Sequence, residues 1–261
     1  MSTLTIALIV KNEAANLAAC LNSCTDLPAE IVVVDSGSED DTVAIAQQFG
    51  AHVYTHDQWR GFGQQRQIAQ QHVTTDWVLW LDADERLTPV LKESIAKAIQ
   101  SDDRQCLYQV SRLSWVFGRF IRHSGWYPDR VIRLYPTQLT GYTAAPVHET
   151  VIVPPATPVK PLQGDLLHYT YRDLHHYLVK SAQYAELWAS ERQAKGRTAS
   201  LSQGIVHGIG CFLKMYVFKA GFLDGKQGLL LALLSAHSTF VKYANLWVKH
   251  QTPADQASPK Q

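Results

Sequence analysis

The stretch Trp77-Val78-Leu79-Trp80-Leu81-Asp82-Ala83-Asp84-Glu85 constrains this chain more than any other. Five apolar residues, two of them tryptophan, are followed at once by three carboxylates around one alanine. A run this short and bulky predicts a strand buried on both faces, as in a parallel sheet. The acids then fall where that strand leaves the sheet, at its carboxyl end, the edge where open α/β sheets bind ligands. In extended chain Asp82 and Asp84 point one way and Ala83 the other. Two carboxylates on one side repel each other unless a cation lies between them. A hard divalent ion, Mg2+ or Mn2+, held by one or two carboxylates together with phosphate oxygens, meets that need. The bland alternative is a solvated acidic turn.

The surrounding chain favours the sheet. Leu4 to Val10 reads as a first buried strand ending in Lys11-Asn12-Glu13, and Leu17, Cys20, Leu21 and Cys24 follow at helical spacing. Glu30 to Val34 is a second strand, which runs into Asp35-Ser36-Gly37-Ser38, a tight turn before a helix stopped by Gly50. A short strand at 51–54 and a glutamine-rich helix at 61–72, carrying Arg66, lead to the opening stretch. Thr88-Pro89 begins another helix, with proline in its favoured first position. To about residue 100 the pattern is strand–helix alternation, which predicts a parallel sheet flanked by helices. Leu107–Trp115 and Arg130–Tyr135 are predicted strands, and Gly141–Val153 loop and strand around Val147-His148-Glu149. Leu166–Tyr169 closes this part before a long helical face from Leu174 to Trp188.

Three strands thus end in acids: Glu13, Asp35, and Asp82 with Asp84. An acid after a second strand is placed to accept hydrogen bonds from ribose hydroxyls or a base N–H. Neither the glycine fingerprint of dinucleotide folds nor a Walker loop is present. A nucleotide would therefore be held by acids at its sugar and base, and by a metal at its diphosphate. A nucleotide-diphospho-sugar has that need. The four cysteines show no zinc spacing, and no basic run interleaved with aromatics points to nucleic acid.

Ile9-Val10-Lys11-Asn12-Glu13, Ile31–Ser38, Gly63 with Arg66, and Leu79–Glu85 together resemble the motifs of family 2 glycosyltransferases of the GT-A fold. Trp126-Tyr127-Pro128-Asp129-Arg130, Val147-His148-Glu149 and Gly221-Phe222-Leu223-Asp224-Gly225 resemble, more narrowly, enzymes that add a hexose, often glucose, to the inner core of lipopolysaccharide. One departure is Gln67, where the family usually has Asn. The resemblance implies an inverting, metal-dependent transfer from a nucleotide-diphosphate sugar, UDP-linked first among the options, to a lipid-linked acceptor. Asp35 would contact the nucleoside beside Asn12 and Glu13. Asp82 and Asp84 would hold metal and diphosphate. Glu149 would be the base that deprotonates the acceptor; its alternative is a surface salt bridge. His148 would position Glu149 or simply pack. His168 would reach diphosphate or metal, or be structural. Arg66, Arg130 and Arg133 would bind phosphates, though strand-edge salt bridges explain the last two equally well.

The expected organisation is a GT-A domain over 1–172, with a nucleotide-sugar half to residue 100 and an acceptor half beyond. A helical extension over 173–250 and a flexible tail at 251–261 follow. The extension carries nine Lys/Arg against four Asp/Glu, whereas the rest carries fifteen against nineteen. Its last two helices, near 205–222 and 228–249, are apolar nearly all round, apart from a stripe of Ser235, Ser238, Lys242, Asn245 and Lys249. They pack as core, pair as a homodimer, or lie on an anionic membrane. The sequence starts straight into a predicted strand and holds no apolar run of about 18 residues, so neither a leader nor a transmembrane span is expected. The expected location is therefore the cytoplasmic face of the inner membrane, as a peripheral protein. Transfer to a polyprenyl phosphate or a protein, or a silent nucleotide-sugar-binding scaffold, are the rival functions.

Overall fold

In a computed structural model of the protein, residues 2–145 and 149–251 are described. Strand β1 (Leu4–Val10) leads through helix α1 (Ala14–Asn22) to β2 (Ala29–Asp35). Helix α2 (Thr42–Gln48), β3 (His52–Thr55), α3 (Phe62–Gln71) and β4 (Trp77–Trp80) follow. These four strands are parallel in the order β3-β2-β1-β4. Trp77 to Leu81 are all fully buried, as a strand covered on both faces requires. Val10 stands opposite Asp35 and Ala7 opposite Trp80, so the acid-bearing ends of β1, β2 and β4 share one edge.

The acids do not continue β4 in extended form. The chain turns at Asp82, whose carbonyl accepts from the Glu85 amide, and enters β5 (Glu85–Leu87). Helix α4 (Pro89–Ser101) is capped by the Thr88 hydroxyl, which accepts from the Leu91 amide at 3.4 Å. Beyond it lie β6 (Leu107–Val116), the short β7 (Arg119–Phe120), β8 (Asp129–Pro136) and β9 (Val159–Tyr171). Past β4 the sheet runs β8-β6-β9-β5, and the β4/β8, β6/β8 and β5/β9 pairs are antiparallel. Strand β9 is far longer than the Leu166–Tyr169 segment read from sequence. Its first half holds Pro161, Gln163, Gly164 and Asp165, which break the apolar signal. Gly164 is required there: at φ +88° a Cβ would stand 2.5 Å from the Leu91 amide nitrogen.

The chain forms two compact units. One comprises Met1–Leu113 with Asp129–His168, the other Ser114–Pro128 with Tyr169–Gln261. In the first, Leu4, Ile6, Leu8, Leu17, Leu79, Leu91, Ile95 and Leu166 build the core on one side of the sheet; Ala7, Ala69, Val78, Trp80 and Tyr135 build a second. Helix α3 starts against the 143–145 backbone. The Gly63 amide donates to the Ala145 carbonyl at 3.1 Å, and a Cβ on Gly63 would lie 2.2 Å from the Thr143 oxygen. Gly63→Ala is therefore expected to cost about 1–3 kcal/mol, the usual penalty for overpacking. Urea denaturation checks this, and a stability equal to wild type would show that the contact is loose.

The second unit packs Val116, Ile121, Tyr177 and Leu231 together. Helix α5 (Leu174–Ala194) is capped by Asp173 and stopped at Gly196, φ +67°. Helix α6 (Leu201–Phe212) begins in a capping box of Ser200 and Gln203. It passes into a π-turn at Leu213–Phe218 and, after Ala220 at φ +50°, a 3-10 turn at Gly221–Asp224. Helix α7 (Gly225–Gln251) completes the unit. Gly221, which opens the motif, packs closely on α7, since a Cβ on Gly228 would meet the Gly221 oxygen at 1.9 Å. His148 and the tail beyond Gln251 lie outside the described residues.

Candidate active site

Helix α3 turns Gln65, Arg66 and Ala69 inward. Gln65 ties it to the sheet edge, donating to the Ser36 hydroxyl and the His56 carbonyl, both at 2.8 Å. Arg66 is buried, its guanidinium 5.3 Å from the Trp80 ring and 4.8 Å from the Tyr142 ring. Both rings offer it their electron-rich faces. It donates to Asp82 Oδ1 at 2.6 Å and to Glu149 Oε1 at 3.1 Å. Its remaining nitrogen, Nη1, is buried without a protein partner. Residues 66, 82 and 149 are far apart in sequence and meet on this one side chain.

Arg133 closes the other side of Asp82. Pairing of Leu79 with Leu134 brings Arg133 to the end of β4. Its Nη2 donates to Asp82 Oδ2 and to Glu85 Oε1, each at 2.6 Å. Glu85 is fully buried and accepts the Asp82 amide on Oε2 at 2.9 Å, while Arg112 approaches Oε1 at 3.7 Å and binds Asp129. Burial works to raise the Asp82 carboxyl, but the Arg133 and Arg66 charges overcome it and hold it far below the usual carboxylate range. At Glu85 burial wins: its carboxyl is raised despite Arg133, with the Asp82 charge adding to the rise.

Asp82 and Asp84 have different partners. Asp82 is clamped by two arginines, whereas Asp84 lies against His168, Oδ2 to Nε2 at 3.3 Å. The turn at 82–84 separates what a continued strand would align. Among the described residues no group of three or more His, Cys, Asp and Glu side chains could hold a metal. Asp84 with His168 can nevertheless supply part of a coordination shell that phosphate oxygens complete, which suits a cation bound by one carboxylate. Arg130 is exposed, whereas Arg66 and Arg133 are buried.

The second loop is built around Asp35, which is 2% exposed. Its carboxylate accepts the Gly37 and Ser38 amides at 3.0 Å and the Ser38 hydroxyl at 2.5 Å. Asn12, at φ +53°, joins the first loop to it: its amide donates to the Ser38 hydroxyl and its Oδ1 accepts the Glu39 amide. The Glu13 amide donates to Thr42 Oγ1, and its carboxylate accepts from Asn16. These residues shape one rigid double loop at the sheet edge.

Sequence reasoning assigned no role to Glu85, Arg112, Trp80 or Tyr142. The signal for Glu85 was in plain view: a third acid directly before Arg86-Leu87, where a short strand follows.

The sequence model of glycosyl transferase family 2 matches residues 5–151. An uncharacterized glycosyltransferase of Rickettsia prowazekii (strain Madrid E) is 28% identical over 255 residues, 94% of this chain and 87% of that one. A lipopolysaccharide core biosynthesis glycosyltransferase of Rhizobium meliloti (strain 1021) is 28% identical over 257 residues, 95% and 93% of the two chains. Among solved structures, glucosyl-3-phosphoglycerate synthase of Mycobacterium tuberculosis, crystallised with Mn2+, UDP and glucosyl-3-phosphoglycerate, overlays with a TM-score of 0.36 at 24% identity. That overlay covers 44% of this chain and 44% of the other, so this chain spans less than half of that protein's length. The mixed sheet flanked by helices, with a helical C-terminal part, is the GT-A class expected from the resemblance. A match that takes in the double loop, Arg66 and the Asp82 edge, over more than half of the chain, makes this protein a member of glycosyl transferase family 2.

Proposed function

We propose that this glycosyltransferase moves a hexose, glucose first, from a UDP-sugar to a lipopolysaccharide core sugar with inversion. The observation that carries the reading is the Arg66 bridge. It brings Glu149, 83 residues away in sequence, to the same guanidinium that holds Asp82. The Rhizobium meliloti relative, similar along nearly the whole chain, supports the acceptor class.

In this reading an acceptor hydroxyl attacks the anomeric carbon. The new C–O bond forms as the bond to the diphosphate oxygen breaks, and the hydroxyl proton passes to Glu149. Arg66 engages Oε1 of Glu149, which leaves Oε2 to take the proton. The double loop of Asn12, Glu13 and Asp35 faces the nucleoside. Arg66, paired with Asp82 and Glu149, would add positive charge near the diphosphate. Asp84 and His168 would hold a Mg2+ or Mn2+ ion, which when bound offsets charge on the leaving diphosphate.

The test is transfer of labelled glucose from UDP-glucose to lipopolysaccharide truncated at the inner core. Label found only on polyprenyl phosphate or protein would overturn the acceptor. Asp84→Asn is expected to lose most of the Mn2+ enhancement of UDP affinity, about 10–100-fold or more, since even outer-shell changes at metal sites reach that range. Calorimetry with and without Mn2+ reads it directly. Undiminished enhancement in the variant would remove Asp84 from the metal site.

A further inference from the structure

Helix α6 is built inside out. Its buried positions toward α7 are Gly204 and Gly208, with His207 stacked on Tyr243 beside them. A Cβ on Gly204 would meet Phe240 and Tyr243 side chains at 3.1 Å, and one on Gly208 would meet the Ala236 oxygen at 3.1 Å. The large apolar residues of the same helix, Ile205, Val206 and Ile209, face outward, Val206 at 67% exposure. A helix resting on a protein core in water does the reverse. The turns that follow continue the pattern: Val217, Phe218, Phe222 and Leu223 are exposed, Phe218 at 79%. Between α6 and α7 runs an apolar groove of about 410 Å³, lined by Ile205, Ile209, Phe212, Leu233 and Phe240 among others. Exposed apolar surface on this scale marks an interaction site.

Charge selects the partner. Residues 201–251 contain five lysines and a single acid, Asp224. That acid is 1% exposed and spent on the Arg122 and His123 amides and the His123 ring. Lys214, Lys219 and Lys226 are exposed around the bend. A two-fold contact with a second copy would set this patch against itself, lysine facing lysine. Anionic lipid headgroups would pair with the lysines while the apolar side chains reach the acyl layer. No single helix among the described residues is long and apolar enough to cross a membrane. Leu201–Phe218 and Gly221–Gln251 have the length and composition only as a pair, bent by 73°.

We infer that α6, the bend and the start of α7 insert into the interface of an anionic bilayer, with Lys214, Lys219 and Lys226 at the level of the lipid phosphates. The inference does not rest on the proposed transfer reaction.

Flotation of the full chain with phosphatidylglycerol-containing and with pure phosphatidylcholine vesicles tests it. The wild type is expected to float with the anionic vesicles. Rising salt should weaken that binding without abolishing it, because salt screens the lysines and not the apolar insertion. Lys214→Glu, Lys219→Glu and Lys226→Glu together should lower anionic-vesicle affinity about a hundredfold, from roughly fivefold per lysine. Val206→Glu with Ile209→Glu leaves the glycine contacts to α7 intact and should abolish flotation while the far-UV dichroism stays that of the wild type. A wild type that stays in the dense fraction with both lipids overturns the inference. So does a concentration-dependent dimer in sedimentation that the Val206/Ile209 variant disrupts, since this face would then belong to a second copy.

Discussion

Glu149→Gln is expected to lower turnover by about 10²–10⁴, the usual worth of a general base, while donor binding persists. Glutamine keeps the shape of the side chain and can still accept from Arg66 through its carbonyl oxygen, so the 3.1 Å contact to Arg66 need not be lost. What it cannot do is take a proton. The expected signature is thus a fall in kcat with an unchanged nucleotide affinity, a split that a merely structural role would not produce. Glu149→Ala separates the two further. It removes both the base and an acceptor for a buried guanidinium, so it should also destabilise the protein, which the glutamine variant should not. If Glu149→Gln transfers hexose at the wild-type rate, Glu149 is an ion-pair partner of Arg66 and the base lies elsewhere.

The parallel half of the sheet was legible because its signal is local. Leu4–Val10, Ile31–Val34 and Trp77–Leu81 are short, bulky runs that end in acids, and neighbouring strands in such a pattern take their place by right-handed crossovers. The antiparallel half was less so. Strand β5 is three residues long, and β9 carries Pro161, Gly164 and Asp165, so neither shows the periodicity of a strand. The site divided in the same way. The double loop and the Asp82 turn are contiguous in sequence, and their residue types announce ligand chemistry. The clamp on Asp82 is not contiguous. Arg133 sits between Ile132 and Leu134 on a buried strand, and a charge in such a place has to be paired. Only the β4/β8 register shows with what. Periodicity likewise showed two apolar C-terminal helices, but not that the first turns its glycines inward and its large side chains outward. Helical period defines faces; it does not say which face a neighbour covers.

Arg133→Met is expected to destabilise the first unit by about 3–5 kcal/mol near neutral pH, the cost of leaving the buried Glu85 carboxylate without its cation. Arg133 donates to both Asp82 and Glu85. Methionine fills similar space and provides no charge. Asp82 keeps Arg66 in the variant; Glu85 keeps the Asp82 amide, and its nearest remaining guanidinium is that of Arg112, at 3.7 Å. The loss should therefore depend on pH through Glu85. Its folded carboxyl is already raised above its ordinary 4.5, so its favourable balance is present below 4.5 and is lost as pH rises through the folded value. Without Arg133 that rise grows, and the stability of the variant should fall more steeply than wild type above pH 4.5. Asp82 has the opposite sign: its depressed carboxyl contributes above its ordinary 3.8 and is lost only as pH falls below that, outside this window. Urea denaturation at pH 5 and pH 7.5 should show a wider gap between variant and wild type at the higher pH. In a Glu85→Gln background the same Arg133→Met change should cost less, because the carboxylate it strands is gone. A gap that is equal at both pH values and in both backgrounds would mean that Arg133 acts here by packing alone, and that the charge of Glu85 plays no part in holding the Asp82 turn.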